Sequence, residues 1–202
     1  RVNMYAIVEN NQITQYINYP KSVVIGDVRY PAKIFQLWSQ SELNAIGIYE
    51  VVVDKTNYKD PEYYINTDSS YSFANGQVTE SWGAATAKQL DDRNATDEDG
   101  NELDPVLVIE GLKTIHKRII KEQASNLLAK HDWQVVKATE VSDYSVPSAV
   151  TTYRANVRTK SNEMETSIDN CTTVDQLKAL YEYTEDDDGN ITRPLAEFPE
   201  EI

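Results

Sequence analysis

The chain has 202 residues, 40% of them hydrophobic and 26% charged, and a formal net charge of −14. That length buries a real core in one large domain or two small ones. The charge excludes a nucleic-acid binder that works by counterion release, disfavours an anionic membrane surface, and accompanies apolar runs far too short to span a bilayer.

No charged-then-apolar signal opens the chain. The single cysteine, Cys171, cannot form an internal disulfide. It falls on helical apolar spacing and reads as a small buried hydrophobe, which fits a reducing cytosol. Thirteen Tyr against three Phe suit half-exposed sheets and wet interfaces, because Tyr joins apolar area to a polar tip.

Residues 4–18 read as a hairpin, with MYAIVE and QITQYIN joined at Asn10-Asn11, since Asn tolerates the positive φ of tight turns. A looser region follows from Pro20 to Pro31. A short helix is written over 39–46. Ser39 and Glu42 form a capping box, Trp38 and Leu43 are placed as its staple, and Gly47 stops it. The strand IYEVVV (48–53) follows. Pro61 marks 57–67 as edge or loop. Asn75-Gly76, between two alternating runs, predicts a second hairpin.

The acidic stretch DDRNATDEDGNELD (91–104) lacks apolar periodicity and reads as a linker. Asp104-Pro105 then looks like an N-cap and first helical residue. The expected helix carries Ile109, Leu112, Ile115, Ile119, Ala124, Leu127 and Leu128, and its length of roughly 25 residues corresponds to about 37 Å. Gly111 should weaken its first turns slightly. His131-Asp132-Trp133 closes it, and QVVKATEV reads as extended. Pro147 starts a helix with the stripe Val146, Val150, Tyr153 and Val157, continued by Met164, Ile168 and Cys171 as one long helix or two short ones. Thr173 with Gln176 is a second capping box. The tail turns at Asp188-Gly189 and reads as irregular. The fold class is therefore α+β: a β-rich unit of antiparallel hairpins plus a short helix over 1–90, the linker, a helical hairpin or bundle over 105–183, and a tail over 184–202.

Chemistry-bearing patterns are few. Asp97-x-Asp99-x-Asn101 and Asp186-x-Asp188-x-Asn190 begin like calcium loops, but Glu102 and Ile191 stand where the sixth-position Gly belongs. Acidic Asp-Gly turns are expected there, with no metal. His116 reads as structural, and His131 as placed on the dipole at a helix C-terminus. No nucleophile elbow, P-loop, dinucleotide fingerprint, zinc-protease motif or Cys-x-x-Cys occurs, so neither enzyme activity nor a cofactor is expected. An acidic metal-dependent enzyme would need a cleft of converging carboxylates.

Tyr153, Arg154 and Arg158 carry two readings. Arg at i and i+4 on one helix could grip a carboxylate-rich partner, or pair internally with one of the many acids. Trp133 is likewise a core plug, whose removal costs about 3–5 kcal/mol, or a partner-binding residue that the fold can spare.

The segments LLAKHDWQVVKATE (127–140) and VPSAVTTYRANVR (146–158) resemble the bacteriophage tail-fibre-assembly or tail-assembly-chaperone-like proteins. That family's pattern is a helix ending in a Leu-Leu pair and Asp-Trp, a linker and proline, then a helix with Tyr-Arg and a second Arg. Leu127, Leu128, Asp132, Trp133, Pro147, Tyr153, Arg154, Val157 and Arg158 carry the likeness. YAIVENNQITQY, ELNAIGIYEVV and FANGQVTESW resemble the β-rich front halves of such proteins. The resemblance implies a non-enzymatic viral role in folding, assembly or attachment of tail fibres. Trp133, Tyr153, Arg154 and Arg158 would then be protein-binding residues, tail subunits or a second copy the partners, and the host cytoplasm or the virion tail the location. The chain runs further past Arg158 than the chaperone pattern, which leaves room for a permanent structural component linking tail and fibre.

Overall fold

The computed structural model describes residues 3–202, which form two compact units, one ending at Thr86 and one spanning Ala87–Ile202. The fold is α+β, β-rich in the first unit and largely helical in the second.

In the first unit β1 (Tyr5–Glu9) and β2 (Gln12–Ile17) form the expected hairpin, with Asn10 and Asn11 both at positive φ. The region expected to be loose holds a small ribbon, β3 (Val23–Ile25) and β4 (Val28–Tyr30), turning at Gly26. Its three-residue strands are too short to show a period in sequence. A four-residue helix α1 (Ile34–Leu37) precedes α2 (Gln40–Ala45). Both arms of the α2 capping box are present: the Ser39 hydroxyl accepts from the Glu42 amide, and the Glu42 carboxylate accepts from the Ser39 amide at 2.7 Å. These bonds hold the Glu42 carboxyl below its ordinary pKa, the Ser39 amide contributing most. Gly47, at φ +84°, ends the turn, and a Cβ there would lie 2.7 Å from the Val8 carbonyl oxygen.

Strand β5 (Ile48–Asp54) follows, then β6 (Tyr64–Ile65), β7 (Ser69–Ala74), β8 (Gln77–Trp82) and β9 (Thr86–Ala87). The main sheet runs β2-β1-β5-β8-β7. The expectation of antiparallel hairpins omits one pairing, because β5 lies parallel to β8 with Val51 opposite Val78. The chain between them crosses over through β7 instead of turning back directly, as a parallel pair requires.

The two sheet faces build separate cores, following the period of two in β1. Tyr5 and Ile7 point into a cluster with Ile17, Val23, Ile34, Leu43 and Ile48, which also takes in the staple residue Trp38. Ala6 and Val8 point into a smaller cluster with Val51 and Val78. Ala6 leaves room above it for aromatic pairs. Tyr49 meets Phe73 at 4.8 Å and Tyr16 meets Tyr71 at 4.7 Å between ring centroids. The second pair joins the two edge strands, so the sheet curls towards closure and shields its own edges.

In the second unit residues 91–104, expected as a linker, carry β10 (Arg93–Asn94) and a bridge between Thr96 and Glu102; β10 pairs with β11 (Val108–Ile109). Helix α3 (Leu112–Ala129) starts at Leu112, not at Pro105, and has 18 residues. Nonlocal partners decide this. The Leu112 and Lys113 amides donate to the Gln89 and Leu90 carbonyls, and the Gly111 amide to the Asp92 carboxylate at 2.7 Å. The orphan donors of the first turn are thus satisfied by a preceding segment, while 108–109 are drawn into β11. The buried stripe is Leu112, His116, Ile120 and Ala124, rotated from the predicted one, with Ile119 left exposed. His116 meets the Tyr181 hydroxyl at 2.9 Å.

The segment expected to be extended is helix α4 (Asp132–Glu140). His131 therefore stands just past the C-terminus of α3, its amide donating to the Leu128 carbonyl at 3.1 Å, and is at the same time the N-cap residue of α4. Helix α5 (Ser148–Asp169) is one continuous helix after Pro147, burying Val150, Tyr153, Arg154, Val157, Ser161, Met164 and Ile168. It packs antiparallel on α3, with Lys117 bridging to Asp169 at 2.7 Å and Lys121 to Glu165 at 3.2 Å. Helix α6 (Val174–Ala179) is capped by Thr173 as expected, although the Gln176 side chain reaches back to the Thr172 amide. The tail is more ordered than expected. β12 (Thr184–Glu185) and β13 (Ile191–Thr192) form a hairpin, Leu195 is fully buried, and Phe198 packs on Ala124, Tyr153 and Val157. Pro194 and Pro199 limit the tail's regular structure, but its apolar side chains still find the helix faces.

Candidate protein-interaction site

The junction of α3, α4 and α5 gathers the residues singled out in sequence. Helix α3 ends at Ala129, and α4 begins almost at once. That leaves the last carbonyls of α3 with few helical donors; the His131 amide reaches the Leu128 carbonyl at 3.1 Å, and side chains can add further donors. Arg154, one turn inside α5 from Val150, supplies one: its Nη1 donates to the Leu128 carbonyl at 2.6 Å. Its Nη2 meets Asp132 Oδ1 at 2.7 Å. Arg154 is 9% exposed, so its bond to the helix-end carbonyl forms at low local dielectric, where charge-assisted bonds are strongest. The ion pair, by contrast, stays open to solvent at Asp132, 59% exposed in its side chain. A guanidinium at a helix C-terminus also complements the dipole there.

Tyr153 is buried beside it. Its ring takes the His131 ring edge-on at 5.5 Å and packs on Ala124, Val157 and Phe198. The Tyr153 hydroxyl is enclosed with no hydrogen-bond partner. His131 Nδ1 lies 3.1 Å from Gln134 Oε1, steadying the first turn of α4. Tyr153 and Arg154 thus take the internal role of the two read for them.

Trp133 and Arg158 do not. Trp133 is 58% exposed, and α4 buries none of its residues. The core-plug reading of Trp133 is thereby overturned: α4 turns only Gln134 and Ala138 partly inward, and the Trp, 100° away per residue, falls on the solvent side. Val136 lies three residues on and is also exposed, giving α4 an apolar outer patch. Arg158 is exposed, and its Nη1 donates only to the Arg154 carbonyl at 3.3 Å. No carboxylate lies within ion-pair distance of it among the described residues.

Arg158 borders a cleft of about 420 Å³ between α3 and α5. Ala124 and Leu128 give it apolar walls. Lys121, Arg154 and Arg158 bring three cations to it, set against Asp132, with Ser125, Ser161 and Asn162 as neutral polar groups. A carboxylate or carbonyl group entering there would find Arg158 free to donate. Trp133 does not line the cleft, but it directly follows Asp132, which does.

The two acidic turns adopt one geometry. Asp97 Oδ1 accepts from the amides of Asp99 and Asn101, and Asp186 Oδ1 from those of Asp188 and Asn190. In both, the Asn side chain returns to the Asp carboxylate. These are Asx-type turns whose carboxylate is occupied by its own loop. Among the described residues no group of three or more His, Cys, Asp or Glu is placed to hold a metal ion. No helix of the described residues is long and apolar enough to cross a membrane.

Sequence reasoning missed the Leu128 carbonyl as the target of Arg154, and Phe198 as a lid on Tyr153. The first is a backbone atom and carries no residue signal. The second stands between two prolines in a polar tail, where only its being aromatic marks it.

Comparison with family models, with curated proteins and with solved structures finds no match.

Proposed function

We propose that this chain is a non-enzymatic bacteriophage tail protein that assists the folding, assembly or attachment of tail fibres. One observation carries the reading. Of the residues in the resembling segments, Tyr153 and Arg154 are buried and Asp132 pairs with Arg154, whereas Trp133 on α4 and Arg158 on α5 are left open to solvent. A Trp more than half exposed on a helix with no buried residue contributes little to stability. Trp and Arg are also the side chains most often found at the energetic centre of protein interfaces. The patch on α4 would cover an apolar surface of a fibre subunit, and the cleft would receive a polar group from it through Arg158. The net charge of −14 keeps carriers apart before a partner is met. The site of action is the host cytoplasm during assembly or the virion tail.

The test is quantitative mass spectrometry of mature particles and of infected-cell lysate, with affinity capture by this chain. Association with fibre subunits in lysate, lost in Trp133→Ala and Arg158→Ala, is the expected outcome. A fixed copy number in mature particles would make it a permanent link between tail and fibre. Absence of fibre subunits from the capture and of the chain from particles would overturn both.

A further inference from the structure

Strand β11 and its approach carry an apolar surface that the described residues leave uncovered. Among the described residues β10 and β11 pair only with each other, Arg93 opposite Ile109 and Asn94 opposite Val108. The Ala95 amide donates to the Leu107 carbonyl at 2.7 Å. Backbone groups alternate sides along an antiparallel strand. With Leu107 turned inward, the Val108 N–H and C=O face outward, on an edge that no third strand of the described residues occupies.

The side chains reinforce this. Val106, Leu107, Val108 and Ile109 are 57, 58, 52 and 39% exposed. Successive strand side chains take opposite faces, so this segment is apolar and open on both. Folded proteins blunt such edges with lysine, proline, bulges or a covering element. Pro105 stands just ahead of Val106, but residues 106–109 themselves carry no lysine or proline. The main sheet of the first unit, by contrast, brings its two edges together through Tyr16 and Tyr71.

The flanks carry one sign of charge. Asp104 precedes the apolar run and Glu110 follows it, and the turn of the same ribbon adds Glu98, Asp99 and Glu102. Arg93 is the one cation between residues 93 and 110. Glu110 pairs with Arg118 and Glu102 accepts from Asn94. Glu98, Asp99 and Asp104 form no ion pair among the described residues.

We infer that the outer edge of β11 is a strand-addition site for an extended apolar segment of a partner protein flanked by lysine or arginine. Val108 supplies the main-chain donor and acceptor, the partner's apolar residues cover Val106 to Ile109, and its cations meet the acidic flanks. A second copy of this chain is the poorer occupant. Antiparallel self-pairing with Val106 opposite Val108 would set Asp104 against Glu110, and in-register parallel pairing would set Asp104 beside Asp104; like charges directly opposite are unfavourable. The inference is independent of the tail-fibre reading.

The test uses the full chain and two synthetic peptides of alternating valine and threonine, one flanked by lysines and one by glutamates. The lysine-flanked peptide is expected to slow amide exchange at Val108 and to bind about tenfold or more tightly than the glutamate-flanked one. Its affinity should fall as salt is raised. Leu107→Lys and Val108→Lys, at exposed positions outside the core, should weaken it, whereas Val135→Lys, exposed on α4, should not. Equal affinity for the two peptides, no binding, or protection only outside residues 106–110 would overturn the inference. Protection of Val108 that rises with protein concentration alone would also overturn it, by making a second copy the occupant.

Discussion

The Arg154 guanidinium joins the end of one helix to the start of the next, reaching the Leu128 carbonyl at 2.6 Å and the Asp132 carboxylate at 2.7 Å. The two contacts are unequal. Asp132 is 59% exposed in its side chain, so solvent screens the ion pair to less than about 1 kcal/mol. The bond to the helix-end carbonyl is partly buried and charge-assisted, worth about 1.5–3 kcal/mol. Arg154→Met should therefore destabilise the second unit by about that amount, and Asp132→Asn by much less. Arg154→Lys should not rescue, because one ammonium cannot reproduce a fork that serves two acceptors. Chemical denaturation of the three variants measures this, and equal losses for Arg154→Met and Asp132→Asn would contradict it.

Trp133 is exposed, so Trp133→Ala should change stability by no more than about 0.5 kcal/mol. The 3–5 kcal/mol expected of a core plug does not apply to it. Acrylamide should quench this Trp freely in the isolated protein. A cost above about 2 kcal/mol would mean that α4 docks more deeply than its exposure allows.

Tyr153 separates ring from hydroxyl. Its ring is buried among Ala124, Val157 and Phe198, so Tyr153→Ala should cost about 3–5 kcal/mol. The hydroxyl is enclosed and unpaired, so Tyr153→Phe should be neutral or stabilising by up to about 1 kcal/mol. Thermal melts of both variants decide this, and a clear loss in Tyr153→Phe would show a hydrogen bond at that oxygen.

Gly111 is read in sequence as a residue that slightly weakens the first turns of its helix, and helix propensity alone would favour Ala there. The fold reverses the sign. A Cβ at Gly111 would collide with the Asp91 carbonyl carbon and lie 2.6 Å from the Leu90 oxygen, both backbone atoms that cannot swing away. Gly111→Ala should destabilise the second unit by about 1–3 kcal/mol, as overpacking does. A stabilised Gly111→Ala would show that residues 89–92 do not cap α3.

Three carboxylates of the second unit are held below their ordinary pKa. The Gly111 amide does this for Asp92, the Asn101 amide for Asp97 and the Asn190 side chain for Asp186. A depressed folded pKa means that the unfolded chain binds protons first as pH falls, so stability rises with pH across that window. The contribution is complete above the usual carboxylate range and disappears as pH drops through the folded pKa of each group. Melting temperature should fall more steeply between pH 5 and pH 2, as a rough window, in the parent chain than in Asp92→Asn. Parallel curves would contradict the linkage.

Much of the first unit was legible because its signals are local. Asn10-Asn11 and Asn75-Gly76 demand positive φ and specify two hairpins. Ser39 with Glu42, and Pro147 ahead of the Val150–Tyr153–Val157 stripe, mark helix starts within a few residues. The parallel pairing of β5 with β8 was not legible, because a strand's own pattern does not name its neighbour. The ribbon β3–β4 was too short to register a period.

The sequence alone settled the α+β class, the turns and the helix caps, since each depends on a few adjacent residues and the torsion angles they favour. Only the tertiary structure chose between partners. It gave the first amides of α3 to Gln89 and Leu90, turned Arg154 inward and left Trp133 and Arg158 outside, and buried Leu195 from a tail that reads as irregular. Hydrogen-bond satisfaction and burial are collective. A buried guanidinium must find acceptors and an apolar side chain must find a face, and which ones are within reach is decided by segments distant in the chain.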